Sequence, residues 1–173
     1  MSVSNRLKNQ LIAKVITRFP SLAQRFIKAY EPWESGEATP WTPVTKPLRE
    51  CKVAMVTTSG VHHGNQEPFD MQDSDGDPSF RTIDGPTIVN DFTITHDYYD
   101  HSDAEKDLNI ILPVDRLNEL QQEGIIGELA KKHYSFMGHI DGRHITALIG
   151  HSARQVVEKL RQDAVDVVLL TPA

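Results

Sequence analysis

Cysteine is nearly absent from this chain: Cys51 stands alone among 173 residues. A lone cysteine cannot close an internal disulfide, which excludes a disulfide-stapled scaffold. No apolar run approaches the roughly 18–20 residues that a membrane-spanning helix needs. The start lacks the charged end, short apolar core and small-residue cleavage site of a secretory signal. A cytoplasmic location is therefore the expectation. Acidic residues are missing from the first 30 positions, which hold Arg6, Lys8, Lys14, Arg18, Arg25 and Lys28. Of the 18 basic and 24 acidic side chains, the rest of the chain thus keeps 12 basic and all 24 acidic ones. Such an acidic body argues against nucleic acid as a partner, because phosphate binding requires clustered Lys and Arg. The glycine spacing of a P-loop or dinucleotide fingerprint is also missing.

What is present suits one globular core, with 39% hydrophobic and 24% charged residues. Leu7, Leu11, Ile12, Val15, Ile16 and Phe19 recur at helical spacing over 4–18, with Ser4 as N-cap and Pro20 as the stop. A second helix is predicted over 21–30. This basic pair reads as a helical hairpin packed on its own domain or a second subunit; membrane-surface contact or a transit peptide are the competing readings. Pro32, Pro40, Pro43 and Pro47 then mark a linker. The division is 1–47 as helical hairpin plus linker, and 48–173 as the folded domain.

Within that domain, strands are predicted over 51–57, 92–95, 108–112 and 165–170. Helices are predicted over 114–123, 125–132 and 151–163, with Gly124 ending the first and Ser152 capping the last. Residues 62–90 and 133–144 read as loops. Strands alternating with helices imply an α/β fold: a three-layer sandwich with a mainly parallel central sheet, preceded by the N-terminal helical pair. The first and last strands are the most apolar and are expected at the centre. Ligands in such sheets bind beyond the carboxyl ends of strands, which gathers 57–70, 96–107 and whatever follows 170 at one edge.

Two stretches at that edge carry chemistry. His96, Asp97, Tyr98, Tyr99, Asp100, His101, Ser102 and Asp103 follow one strand. Two imidazoles among carboxylates can chelate a metal, relay protons, or serve a loop whose Asp side chains cap turns. The spacing matches no standard zinc motif, and no metal is assigned. Thr57, Thr58 and Ser59 follow another strand, where free backbone N–H groups could hold an anion or carboxylate. His62 and His63 lie just beyond. Asp73, Ser74, Asp75, Gly76 and Asp77 have the acidity of a calcium loop, but the glycine is misplaced and a polar turn is the better reading. Cys51, at a strand start, reads as a small hydrophobe.

These residues fall into ordered blocks. Residues 56–62, 66–70 (QEPFD), 77–81 (DPSFR), 93–104, 113–120, 133–138 (HYSFMG) and 165–172 together resemble the selenoprotein B family of glycine, sarcosine, betaine and D-proline reductases. The resemblance covers about 50–173. It implies reductive cleavage of a C–N bond in a small amino-acid-like substrate, in company with other reductase subunits. It also implies a redox selenocysteine or cysteine just after Leu169, Leu170, Thr171 and Pro172, hence downstream of Ala173. No cofactor is expected within the chain itself. The expectation is a UGA codon next, read as a stop; the alternatives are a short non-catalytic binding or assembly module of the same fold, or a metal-dependent enzyme that uses His62, His96, Asp100 and His101. On this reading Thr57, Thr58 and Ser59 line a carboxylate pocket beside His62. His96 and His101 donate or orient protons, with Asp100 and Asp103 fixing them. Glu67 and Asp70 hold the long loop or the substrate ammonium. An uncovered sheet edge would favour homo-oligomers.

Overall fold

The computed structural model describes residues 3–19, 21, 24, 42–85 and 91–172. Apart from residues 21 and 24, the second helix predicted over 21–30 lies outside the described residues, as does most of the linker. The first helix, α1, spans Val3–Arg18 and ends before Pro20 as its spacing predicts. Its apolar stripe points outward: Leu7 and Leu11 are more than 60% exposed, and among the described side chains of the helix only Ala13 is buried.

The domain proper starts at a 3₁₀ turn, Leu48–Glu50, and passes into β1, Lys52–Thr57. β2 (Val61–His63), β3 (Phe80–Asp84) and β4 (Phe92–Ile94) follow. Then come a 3₁₀ turn (Leu108–Ile110) and α2 (Val114–Gln122). β5 (Glu128–Leu129) and β6 (Lys132–Phe136) lead to α3 (His144–Ala147). A π-helical turn, Leu148–Ser152, joins α3 to α4 (Ala153–Gln162), and β7 (Val167–Thr171) closes the described chain.

The sheet is mostly parallel. β1 pairs in parallel with β5 and β6 along one edge and with β7 along the other, and β3 runs antiparallel on the far side of β6. β2 and β4 form a separate antiparallel pair. Side chains of β1 alternate between two cores, as a strand covered on both faces must. Val53 and Met55 join Ile83, Leu112, Val114, Leu117 and Leu129 on one side. Ala54 joins Tyr134, Phe136, Val156 and Leu160 beneath α4 on the other. The α/β class with helices on both faces is the observed architecture.

Several expected elements are corrected. Residues 108–112 are not a strand: the Asp107 carboxylate accepts from the Asn109 N–H at 3.0 Å and caps a 3₁₀ turn. Ile111 and Leu112 are buried as core, not as sheet. Residues 125–132 are not helical, and 133–144 is not all loop, because β5 and β6 run through them beside β1. Helix 151–163 begins earlier, and Ser152 is a buried helical residue rather than a cap. Residues 62–90 contain β2 and β3. β7 is not central; it is the outer strand among the described residues, with Leu170 70% exposed. Strands 51–57 and 92–95 and helix 114–123 lie close to where they are predicted, and Gly124 takes the positive φ (71°) of a helix stop.

Candidate functional site

The carboxyl ends of β1, β6 and β7 meet in one place. β1 ends at Thr57, whose Oγ1 lies 2.8 Å from the Ser59 Oγ; both residues are fully buried. The Thr58 N–H donates to the Thr171 carbonyl at 3.1 Å, the Ser59 N–H to Thr57 Oγ1 at 3.3 Å, and the Gly60 N–H to the Phe136 carbonyl at 2.9 Å. All three amides of the turn are therefore occupied, and the expected cradle of free N–H groups is not formed. The Thr57 and Ser59 hydroxyls, fully buried and bonded to one another, brace the turn, and Thr58 is its half-buried residue.

The turn is compact because two glycines permit it. Gly60 has φ +71°, and a Cβ there would stand 2.5 Å from the Thr95 carbonyl oxygen. Gly138, just after β6, has φ +94°; a Cβ there would stand 2.1 Å from the Thr58 carbonyl oxygen and 3.3 Å from His96 Nε2. Thr58, Gly138 and His96 thus converge within contact distance.

His96 follows β4 and is 6% exposed. Its Nδ1 accepts the Tyr98 N–H at 3.1 Å, so the neutral ring carries its proton on Nε2, the nitrogen beside Gly138. Burial pushes its pKa down to about 4, helped by His139 and His101 and opposed by Asp97. At neutral pH His96 is therefore an N–H donor without charge, not an imidazolium acid. Tyr98 and Tyr99 meet its ring edge-on, and the Tyr99 hydroxyl donates to the Ser59 carbonyl at 3.1 Å. His139 stacks on Tyr98 with centroids 4.0 Å apart.

His62 touches the same wall but has no free nitrogen. Its Nδ1 donates to the His63 carbonyl at 2.8 Å, which leaves Nε2 to accept from the Thr95 hydroxyl at 2.8 Å. It pins β2 to the end of β4. His101 lies farther out, with Nδ1 2.7 Å from Glu105 Oε1 but without the angle of a hydrogen bond. The carboxylates expected to fix the histidines do other work. Asp100 caps the Ser102 N–H at 3.2 Å, and Asp103 pairs with Lys106 at 2.7 Å in solvent. The acidic group beside His101 is Glu105.

Glu67 and Asp70 are exposed on a loop clasped by Arg81, whose guanidinium donates to the Glu67 and Pro68 carbonyls and lies 4.4 Å above the Phe69 ring. Asp70 Oδ1 accepts the Gln72 N–H. Phe69 and Met71, on either side of Asp70, pack with Met137 against Tyr98, so this loop floors the site. Asp77 accepts from Asp70, Ser79 and the Ser79 hydroxyl, which makes the acidic stretch a turn. Among the described residues no three His, Cys, Asp or Glu side chains are grouped to hold a metal. Cys51 is fully buried, its thiol donating to the Pro47 carbonyl at 3.4 Å.

The reading of the sequence gives no role to Asp97, Tyr99, Gly138 or His139. Asp97 is 2% exposed, and its carboxylate is held by α1: Arg6 Nε at 2.6 Å, Arg6 Nη2 at 3.3 Å and Gln10 Nε2 at 2.7 Å. A cavity of about 230 Å³ lies beside this pair, between Gln10 and Lys14 on α1 and Tyr99, Asp100, His101 and Glu105 on the loop. A larger one, about 570 Å³, lies between β4 and residues 104–109. Its polar groups Asp107, Asn109 and Asp115 bond one another, and it is remote from the hydroxyl turn.

Buried hydroxyls, a neutral imidazole and aromatic edges thus gather at the carboxyl ends of the parallel strands, which is where α/β sheets place their ligand sites. The chain belongs to the glycine/sarcosine/betaine reductase selenoprotein B family, whose description matches residues 21–173. It is 39% identical over 131 residues to the D-proline reductase subunit gamma of Acetoanaerobium sticklandii, covering 76% of this chain and 52% of that one. It is 32% identical over 143 residues to the glycine reductase complex component B subunit gamma of Symbiobacterium thermophilum, covering 81% and 32%. The sarcosine reductase complex component B subunit beta of Peptoclostridium acidaminophilum is 32% identical over 138 residues, covering 78% and 31%. The chain thus spans about half the length of the first relative and about a third of the other two. No solved structure matches it at a significant level. Among the described residues no helix is long and apolar enough to cross a membrane.

Proposed function

We propose that this chain forms the substrate-facing domain of a selenoprotein-type subunit of an amino-acid reductase. The reaction is reductive cleavage of the C–N bond of glycine, sarcosine, betaine or D-proline, carried out in the cytoplasm together with other subunits of the complex. The observation that carries this reading is the meeting of Thr58 with Thr171. The Thr58 N–H binds the last carbonyl of β7, which brings the end of that strand beside the hydroxyl turn. The family resemblance puts a redox selenocysteine or cysteine just after that strand. A selenol is ionised at neutral pH more fully than a thiol and is the stronger nucleophile by the logic that governs thiolates. Cys51, buried at the opposite end of β1, does not offer that chemistry.

On this reading Thr58 faces the substrate carboxylate, the buried Thr57 and Ser59 hydroxyls hold the turn behind it, and His96 donates a hydrogen bond from Nε2 without carrying charge. His101, with Nδ1 2.7 Å from Glu105, orients the loop beside the site.

The test is a dithiol-driven assay of the full-length gene product, purified with its partner subunits, on the four candidate substrates. Turnover of one or more is expected. No turnover on any, with partner subunits that are active beside a known relative's subunit, would favour the assembly-module reading instead.

A further inference from the structure

Tyr98 and Tyr99 both meet the His96 ring, and they are fixed in different ways. The Tyr99 hydroxyl is tied to the Ser59 carbonyl at 3.1 Å. Tyr98 is held by its ring. The imidazole of His139 stacks on it, with centroids 4.0 Å apart and planes inclined by 30°. Phe69 and Met71 of the long loop, and Met137 just after β6, pack against it as well. The backbone of Tyr98 matters as much as its ring. Its N–H occupies His96 Nδ1 at 3.1 Å and so leaves the imidazole proton on Nε2. A shift of Tyr98 therefore reaches both the tautomer and the aim of His96. His139 is near enough to act on His96 directly: burial first, and then the charge of His139, hold the His96 pKa down.

His139 is itself fixed from the far side. Its Nε2 donates to the Ser74 carbonyl at 2.9 Å. Ser74 lies between two anchored aspartates. Asp73 pairs with Arg143 and, at 3.0 Å, with His144 Nε2, and its Oδ1 accepts the Asp75 N–H at 3.0 Å. The Asp75 carbonyl accepts the Asp141 N–H at 2.8 Å. One residue on, Gly76 has φ +86°, and a Cβ there would stand 1.7 Å from the His139 carbonyl oxygen. Only glycine lets the two segments approach so closely. A continuous set of contacts thus runs from the loop tip, 73–76, through His139 and Tyr98 to His96.

We propose that His139 is a positioning residue for His96, acting through Tyr98, and that the loop tip at 73–76 fixes His139 in place. His139 touches no reacting atom; it sets where the His96 Nε2–H points. What His96 does once aimed rests on the proposed reductase reading, whereas the positioning does not.

The readout is the pair of His96 ring nitrogens, followed by NMR on the full chain with isotope-labelled histidine. In the unmodified chain His96 should show one tautomer, protonated at Nε2, and the Tyr98 and His139 rings should show through-space contacts. His139→Ala should turn that tautomer into an exchanging mixture while the thermal melt holds. His139→Phe, which keeps a ring on Tyr98, should recover most of the wild-type signal. His139→Gln, which keeps a donor for Ser74 but no ring, should not. In the assembled reductase, His139→Ala should lower kcat about tenfold or more, with KM within about twofold. A wild-type His96 signature in folded His139→Ala, or a recovery by His139→Gln equal to that by His139→Phe, would overturn the proposal. If His139→Ala does not fold, the comparison of the Phe and Gln variants decides alone. Altered His96 signals with normal turnover would uphold the positioning and overturn the role given to His96 in the reductase.

Discussion

The α/β body and the helix α1 are held by opposite means. In the body, apolar side chains decide the packing: Met55, Leu112 and Met137 are wholly buried, and β1 is covered on both faces. In α1 the apolar residues look outward, and a buried carboxylate 91 positions away decides the docking. An amphipathic stripe therefore does not reveal which face a helix presents to its domain. A fully desolvated charge can outweigh several leucines, because leaving it unpaired costs more than leaving each leucine wet.

The largest expected effect that sharpens this contrast is acid loss of the body. His96 and His133 are buried, and burial pushes the pKa of each down to about 4. The His133 Nδ1 accepts the Met55 N–H at 3.1 Å, and its Nε2 has no partner among the described residues. Between pH 6.5 and 4 the unfolded chain binds more protons at these two groups than the folded one, so stability falls as pH falls through that window. Each group should cost about 3 kcal/mol by pH 4. Denaturant titrations at pH 7 and pH 4.5 check this, and replacing His133 by a residue that does not titrate should flatten the slope.

Next in size is Leu112→Ala, in the body's core, which should cost roughly 2–5 kcal/mol by chemical denaturation. Gly138→Ala should cost about 2 kcal/mol or more, since it adds a positive-φ penalty to a clash with the Thr58 carbonyl. Asp97→Asn should weaken only α1, by roughly 1–3 kcal/mol: exchange over 3–18 quickens while the melting of the body holds. Leu11→Ala, on the exposed stripe, should change stability by less than about 0.5 kcal/mol. A cost for Leu11→Ala equal to that of Leu112→Ala would break the comparison, because it would mean that the stripe is covered in solution.

How legible each part was follows from the same physics. β1 was readable because a β-rich run of four apolar residues, Val53 to Val56, followed by Thr57 and Thr58, has few other uses. β6 was not, because its sequence, Lys132 to Phe136, mixes charge, imidazole and hydroxyl, yet four of its five residues are buried between two cores. Residues 108–112 misled in the other direction: an apolar run was read as strand, while Asp107 and Asn109 had already set a capped turn. The chemistry of 96–103 was visible as a dense polar loop, and its family blocks located the site edge. The division of labour inside it was not visible. Asp103–Lys106 and His101–Glu105 are local pairs, three and four residues apart, whereas the Asp97–Arg6 pair spans 91 positions and spacing does not encode it.

The reductase account rests most directly on His96, the one imidazole with a proton-bearing nitrogen aimed at the junction of Thr58 and Gly138. The measurement is turnover by the full-length, assembled protein carrying His96→Ala, beside its thermal melt. The account predicts a loss of about 100-fold or more with melting preserved. Near-normal turnover by the folded variant would contradict it.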